Sequence, residues 1–339
     1  MKFLKYILLL LLIAIIGFSI YIAVQPNSFE VTRTKTIDAP QAVVYNNVID
    51  FKNWESWSYL TEDQPETVII LAKKTKGING SYAWQNNKGI GSMTTVKTNL
   101  NTSITQKMQF GDLPESEVNW NFKTNEDGST EVTWTITGKN LPFKFKMLSA
   151  LMGGMEKQIG PHFKSGLTKL DSVLQAEMKV YTINVKGITA HRGGYYLYNS
   201  TSGKFGTYKE NMKAMLPKLG AYALTHNIVR AGAPFILYHK WDEENDAVIF
   251  SSCIPTNSKI VLDEPDILTG KLESFKAVKT VLKGDYANLK EAWETTMTYI
   301  TENNLEMIEG GQMLETYINN PTDNPNPADW ITEIFVAIK

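Results

Sequence analysis

Residues 117–137 read EVNWNFKTNEDGSTEVTWTIT. Successive side chains of a strand point to opposite faces, so Val118, Trp120 and Phe122 share one face. Val132, Trp134 and Ile136 likewise share a face, and Asn125-Glu126-Asp127-Gly128-Ser129 between the runs has turn composition. An apolar and a polar face in alternation mark an antiparallel sheet covered on one side.

Four runs upstream alternate in the same way: TVIILAK from Thr67, SYAWQ from Ser81, SMTTVKT from Ser92 and SITQKMQF from Ser103. Gly77, Gly80, Gly89 and Gly91 are spaced like turn residues between them. They do not follow a strand and open a helix, so a phosphate loop is not expected. Before these strands, FEVTRTKTI (29–37) is a further strand. Pro40 then opens a helix with Val43, Val44, Asn47 and Val48 on one face. Trp54 and Trp57 belong to a second short element. After the strands, Leu148, Leu151, Met152, Met155, Ile159, Phe163, Leu167 and Leu170 predict one long helix, kinked or started anew at Pro161. Trp84, Met108, Trp120 and Trp134 are expected to fill, more than line, the space between sheet and helix.

The order strand, two helices, antiparallel strands, long helix resembles the SRPBCC superfamily, the helix-grip or START-like fold. Within it the chain looks like the polyketide cyclase/dehydrase branch. The resemblance rests on Ile37-Asp38-Ala39-Pro40, Val44-Tyr45, Asp50-Phe51 and Trp54-Glu55-Ser56-Trp57. It continues through Gly80-Ser81-Tyr82-Ala83-Trp84, Gly89-Ile90-Gly91-Ser92-Met93, Val132-Thr133-Trp134 and Gly166-Leu167. Ser58-Tyr59 departs from it, where relatives place a proline before an aromatic residue.

Residues 178–339 contain an internal repeat. Gly206-Thr207-Tyr208 matches Gly284-Asp285-Tyr286, and Ala214 with Ala292 and Gly232 with Gly310 keep the same offset. Each half reads strand, helix, strand, strand. Tyr208, Met212, Met215, Leu216 and Leu219 share one helical face; Tyr286, Leu289, Trp293, Met297 and Ile300 share the other. This half resembles the GyrI-like effector-binding domain, which also serves as the ligand-binding part of multidrug-responsive bacterial regulators. The resemblance rests on Ala233-Pro234-Phe235-Ile236-Leu237-Tyr238-His239, Cys253-Ile254-Pro255, Ala292-Trp293, Leu314-Glu315-Thr316-Tyr317-Ile318-Asn319-Asn320-Pro321 and Thr332-Glu333-Ile334-Phe335-Val336. The fold expected is therefore α+β: a helix-grip antiparallel sheet with a long C-terminal helix, then a pseudo-symmetric duplicated β-α-β-β domain.

Ahead of both units, Tyr6–Val24 is a charge-free run of apolar character. About 20 such residues span a bilayer as a helix, and signal-peptide cores are shorter, at about 7–15. An uncleaved anchor over 1–27 is expected, followed by units at 28–177 and 178–339. Lys2 and Lys5 favour a cytoplasmic N-terminus and extracytoplasmic domains on a single-pass inner-membrane protein; Arg33 and Lys35 weigh against that orientation.

Lys and Arg number 34 against 35 Asp and Glu, which gives no footprint for nucleic acid. No helix-turn-helix module is attached, which disfavours a transcription factor. Cys253 is the single cysteine, so no internal disulfide is possible. His162, His191, His226 and His239 lack ligand spacing, and no metal or other cofactor is expected.

In the second unit, alternation puts Met313, Glu315 and Tyr317 on one face of a strand, and Glu333 and Phe335 on one face of the last. Helices explain one side of that sheet; the other is expected to wall a cavity holding the carboxylates. The candidate ligand-binding residues are Glu315, Glu333, Tyr317, Phe335, Tyr238 and Trp293. The GyrI-like resemblance implies that the carboxylate at Glu315 points at bound ligands. The repeat places Leu237 opposite it. The leading expectation is a non-enzymatic binder or sensor of small apolar or amphipathic molecules, including cationic ones. The alternatives are a hydrolase or SRPBCC-type enzyme using a pocket Glu and Tyr, and a structural or interaction module with filled interiors.

Overall fold

The computed structural model describes residues 2–58, 66–87, 89–261 and 264–339, apart from the side chains of Lys2 and Lys209. Tyr59, in the departure at Ser58-Tyr59, lies outside them. The chain divides into two compact units, Met1–Ala176 and Glu177–Lys339.

The first unit opens with helix α1 (Lys2–Ala23), whose segment Phe3–Ala23 is long and apolar enough to cross a membrane. Strand β1 (Ser28–Ile37), helix α2 (Gln41–Val48) and a 3₁₀ turn (Phe51–Ser56) follow. Six more strands complete the sheet: β2 (Val68–Leu71), β3 (Ser81–Asn86), β4 (Gly89–Asn99), β5 (Ser103–Phe110), β6 (Ser116–Thr124) and β7 (Thr130–Lys139). The sheet is antiparallel throughout, in the order β1-β7-β6-β5-β4-β3-β2. Register pairs Val118 with Ile136, Trp120 with Trp134 and Phe122 with Val132, which gathers both apolar runs on one face.

Two helices follow: α3 (Phe143–Leu151) and α4 (Met155–Met178). The single long helix expected from sequence is therefore two, and the break is not at Pro161, which sits inside α4. It falls at Gly153 and Gly154, whose φ of 83° and 90° only glycine adopts without strain. Leu148, Leu151 and Met152 accordingly leave the core stripe and lie exposed.

From α4, Phe163, Leu167, Leu170 and Leu174 are buried against the sheet. Phe163 stacks on Trp134 at 3.7 Å, and Trp134 on Trp120 at 4.3 Å. Trp54 and Trp57 each meet Trp120 and Trp134 edge-on. Their indole N–H groups donate to Val48 O and Asn47 Oδ1, each at 2.8 Å, which fixes the rings. Among the described residues a cavity of about 50 Å³ is lined by Trp54, Tyr82, Trp84, Met108 and Trp134 among others. Gly91 is not a turn residue. It lies within β4, where a Cβ would overlap the Trp84 indole.

The second unit comprises β8 (Thr182–His191), β9 (Gly194–Gly203), α5 (Phe205–Thr225), β10 (Phe235–Asp242), β11 (Ala247–Thr256) and β12 (Leu268–Leu272). Then come β13 (Phe275–Lys283), a 3₁₀ turn (Tyr286–Asn288), α6 (Leu289–Glu302), β14 (Met313–Tyr317) and β15 (Ile331–Ala337). The strand order β12-β9-β11-β10-β14-β15-β13-β8 is symmetric about the β10–β14 pair. Each half is the expected strand, helix, strand, strand. An additional leading strand in each, β8 and β12, pairs with the other half.

Candidate functional site

β10 and β14 meet at the pseudo-twofold centre, where Ile236 pairs with Glu315 and Leu237 with Leu314. Pairing sets the faces. Glu315 shares its face with Ile236 and, across β15, with Ile334. That is the helix-covered face, since Trp293 of α6 reaches Glu315 from it. The expected placement of Glu315 on a cavity wall away from the helices is therefore corrected. Leu237 faces the other way, so it is not the counterpart of Glu315: the offset of the repeat slips by one residue at these strands.

Glu315 is 3% exposed. Its Oε1 accepts the Trp293 Nε1–H at 2.5 Å and its Oε2 the Tyr317 hydroxyl at 2.7 Å. The Tyr238 hydroxyl also bonds to it, and is itself joined by a short hydrogen bond to the Tyr208 hydroxyl. Met212 closes the group from α5, its sulfur 3.4 Å from the Tyr317 hydroxyl and 3.6 Å from that of Tyr208. Tyr286 packs edge-on against Tyr317 at 5.3 Å. Among the described residues no Lys, Arg or His pairs with the carboxylate.

A carboxylate taken out of water without a counter-charge is costly, and three neutral donors offset part of that cost. Burial outweighs the donors and holds the Glu315 carboxyl above the usual range. Burial, and then the Glu315 charge, raise the hydroxyls of Tyr317, Tyr238 and Tyr208 well above theirs. Tyr286 is pushed up to about 12 for the same first reason.

The six candidate residues do not form one cluster. Glu315, Tyr317, Tyr238 and Trp293 come together. Glu333 and Phe335 lie on the opposite face, because Glu333 pairs with Thr316 and Phe335 with Leu314 in the register of β14 and β15. There Glu333 is bonded to Lys279 at 2.7 Å, and the same Lys279 lies over the Phe335 ring. Along the chain each strand shows only its own alternation, and the register between them decides whether two alternating faces coincide. Tyr208, Met212 and Tyr286 were absent from the candidates. Their signal lay in the repeat, since Tyr208 and Tyr286 occupy matching positions and flank the carboxylate from the two halves.

A buried carboxylate among aromatic rings thus lies over the central strands of a duplicated β-α-β-β sheet. Residues 175–339 match the family model described as GyrI-like small molecule binding domain. Residues 28–175 match the one described as polyketide cyclase/dehydrase and lipid transport. The chain thus carries an SRPBCC domain followed by a GyrI-like domain. No curated protein matches it. Among solved structures, the C-terminal domain of EcmrR is similar to 47% of this chain over 98% of its own, at 18% identity and a TM-score of 0.40. A Staphylococcus epidermidis protein, solved by NMR, is 19% identical over 46% of this chain and 94% of its own, with a TM-score of 0.34. An integron cassette protein of Vibrio cholerae is 16% identical over 47% and 99%, with a TM-score of 0.32.

Proposed function

We propose that this protein is a membrane-anchored, non-enzymatic binder or sensor of small amphipathic molecules, cationic ones above all. Residues 1–27 are the anchor. Units 28–177 and 178–339 lie on the extracytoplasmic side of the inner membrane, and the second takes the ligand. The observation that carries this is Glu315: a carboxylate buried among aromatic rings and satisfied, among the described residues, only by neutral donors. A lipophilic cation bearing aromatic groups would supply the missing charge and pack on the same rings. Tyr208 and Met212 cover the carboxylate from α5, so they must move aside for a ligand to reach it. Glu333, already paired to Lys279, and Phe335 belong to the opposite face and make no part of this subsite.

Equilibrium dialysis of tetraphenylphosphonium against the detergent-solubilised full chain tests the proposal, with Glu315→Gln as the reference that cancels uptake by micelles. Saturable binding lost in the variant is expected. Equal uptake by both proteins would overturn it.

A second reading, a hydrolase, is favoured by the Glu315–Tyr317 contact, since a carboxyl raised by burial can act as a general base. Turnover of small electrophiles that disappears in Glu315→Gln would favour it over binding alone.

A further inference from the structure

Helix α3 is held against the exit of α1. The last carbonyls of any helix lack internal partners, and the negative end of its dipole attracts a cation. Here Lys146 supplies both: its buried Nζ donates to Ala23 O at 3.1 Å, Gln25 O at 3.0 Å and Asn27 Oδ1 at 2.8 Å. Leu141 N donates to Asn27 O at 3.1 Å, and Phe145 stacks on Phe29 at 6.0 Å. These contacts fix the rotation of α3 about its axis, with Lys146 turned inward.

The outward arc then carries Phe143, Lys144, Leu148 and Leu151, continued by Met152. The four apolar members are 45%, 56%, 65% and 52% exposed in chain order. A helix facing water carries charge and polarity on that side. This arc carries one lysine, and no acidic residue occurs between Leu141 and Gly154. The combination of an apolar face, a basic residue and a position at the mouth of an apolar spanning helix fits the boundary between head groups and acyl chains.

We propose that α3 lies in the head-group layer of the bilayer leaflet that faces the folded units, its Phe143–Leu148–Leu151–Met152 arc inserted and Lys144 at the phosphates. This rests on the reading of residues 1–27 as a membrane anchor. Insertion of α3 would seat the first unit on the surface at a set orientation, where α1 alone would leave it tethered by a swivel.

The test uses the full chain in vesicles of phosphatidylcholine and phosphatidylglycerol. Three single cysteines, each in a Cys253→Ala background, carry an environment-sensitive fluorophore: Leu148→Cys on α3, Ile13→Cys within α1, and Glu126→Cys in the β6–β7 turn. That turn lies at the far end of β1's pairing with β7, remote from the Ser28 end where α1 joins. Quenching by lipids with nitroxides at graded depths is read for each. Ile13 is expected deep, Glu126 unquenched, and Leu148 quenched best by shallow nitroxides, roughly 5–10 Å into the boundary. With Ile13 quenched, a Leu148 signal equal to that of Glu126 would overturn the interfacial helix and leave the anchor standing. A blue-shifted but unquenched Leu148 would assign the arc to protein, such as a second copy, and overturn it equally. Ile13 unquenched would remove the anchor and this inference with it.

Discussion

Glu315 and Tyr317 stand two residues apart on β14, and the tyrosine hydroxyl donates to the carboxylate at 2.7 Å. Strand alternation puts i and i+2 on one face, so a short strand supplies both the charge and one of its neutral supports. The sign of the resulting pH dependence follows. Burial raises the folded-state pKa above the ordinary 4.5. The folded protein therefore binds more protons than the unfolded chain above that value. Stability contributed by this group is complete below about 4.5 and is lost as pH rises through the folded value. Urea unfolding from acid to neutral pH should show this decline in the wild type, and a flatter profile in Glu315→Gln. Parallel profiles would mean that Glu315 does not titrate differently on folding.

Trp293→Phe keeps a ring against Tyr238, removes the N–H held at 2.5 Å by Glu315 and shortens the ring system. A hydrogen bond to a charged group contributes about 1.5–3 kcal/mol, and its loss leaves a buried acceptor short of a donor. Destabilisation of that order is expected at neutral pH, and much less when Glu315→Gln is already present. The double-mutant cycle reads the difference directly; additive effects would show that the two side chains are not coupled.

Glu333→Gln is the contrasting change. Its partner Lys279 and the surrounding solvent leave it worth under about 1 kcal/mol. Lying on the opposite face from Glu315, it should leave binding of a cationic dye unchanged. Loss of binding in this variant with Glu315→Gln still active would move the site to the opposite face.

The fold was legible because its signals are local. Alternation in 117–137, Pro40 at a helix start and the Gly-Thr-Tyr and Gly-Asp-Tyr repeat each specify structure within a few residues. What was not legible is relational. The break at Gly153-Gly154 competes with an apolar period that runs straight across it, and Pro161 is the stronger breaker by residue type although α4 accommodates it. Glu315 and Glu333 look equivalent along the chain, and the register of β14 with β15 separates them. The leading strands β8 and β12 pair with the opposite half, which no single repeat reveals.

Trp134→Ala tests whether the first unit is filled or hollow. Trp134 is 2% exposed and touches Trp120, Trp54, Trp57 and Phe163, so its truncation should cost about 3–5 kcal/mol. Ligand pockets run to about 300–1,000 Å³, against the 50 Å³ left among these rings. A small apolar molecule such as indole should therefore leave the wild-type melting temperature unmoved and raise that of the variant. Stabilisation of the wild type by the same molecule would mean that the indoles move apart to admit it.

Lys146→Met removes the cation from the end of α1 while keeping the length of the aliphatic stem. Three acceptors lose one common donor: Ala23 O, Gln25 O and Asn27 Oδ1. Water can replace it for carbonyls that become exposed, so the loss is local and of order 1–3 kcal/mol at most. The expected result is faster hydrogen exchange across Val24–Ser28 and α3 in nanodiscs, with β6 and β7 unchanged. Phe145 on Phe29 still holds α3 near β1, so the helix should loosen without detaching. Exchange unchanged at the junction would mean that aromatic packing alone fixes α3, with the buried lysine contributing only solvation of the helix end.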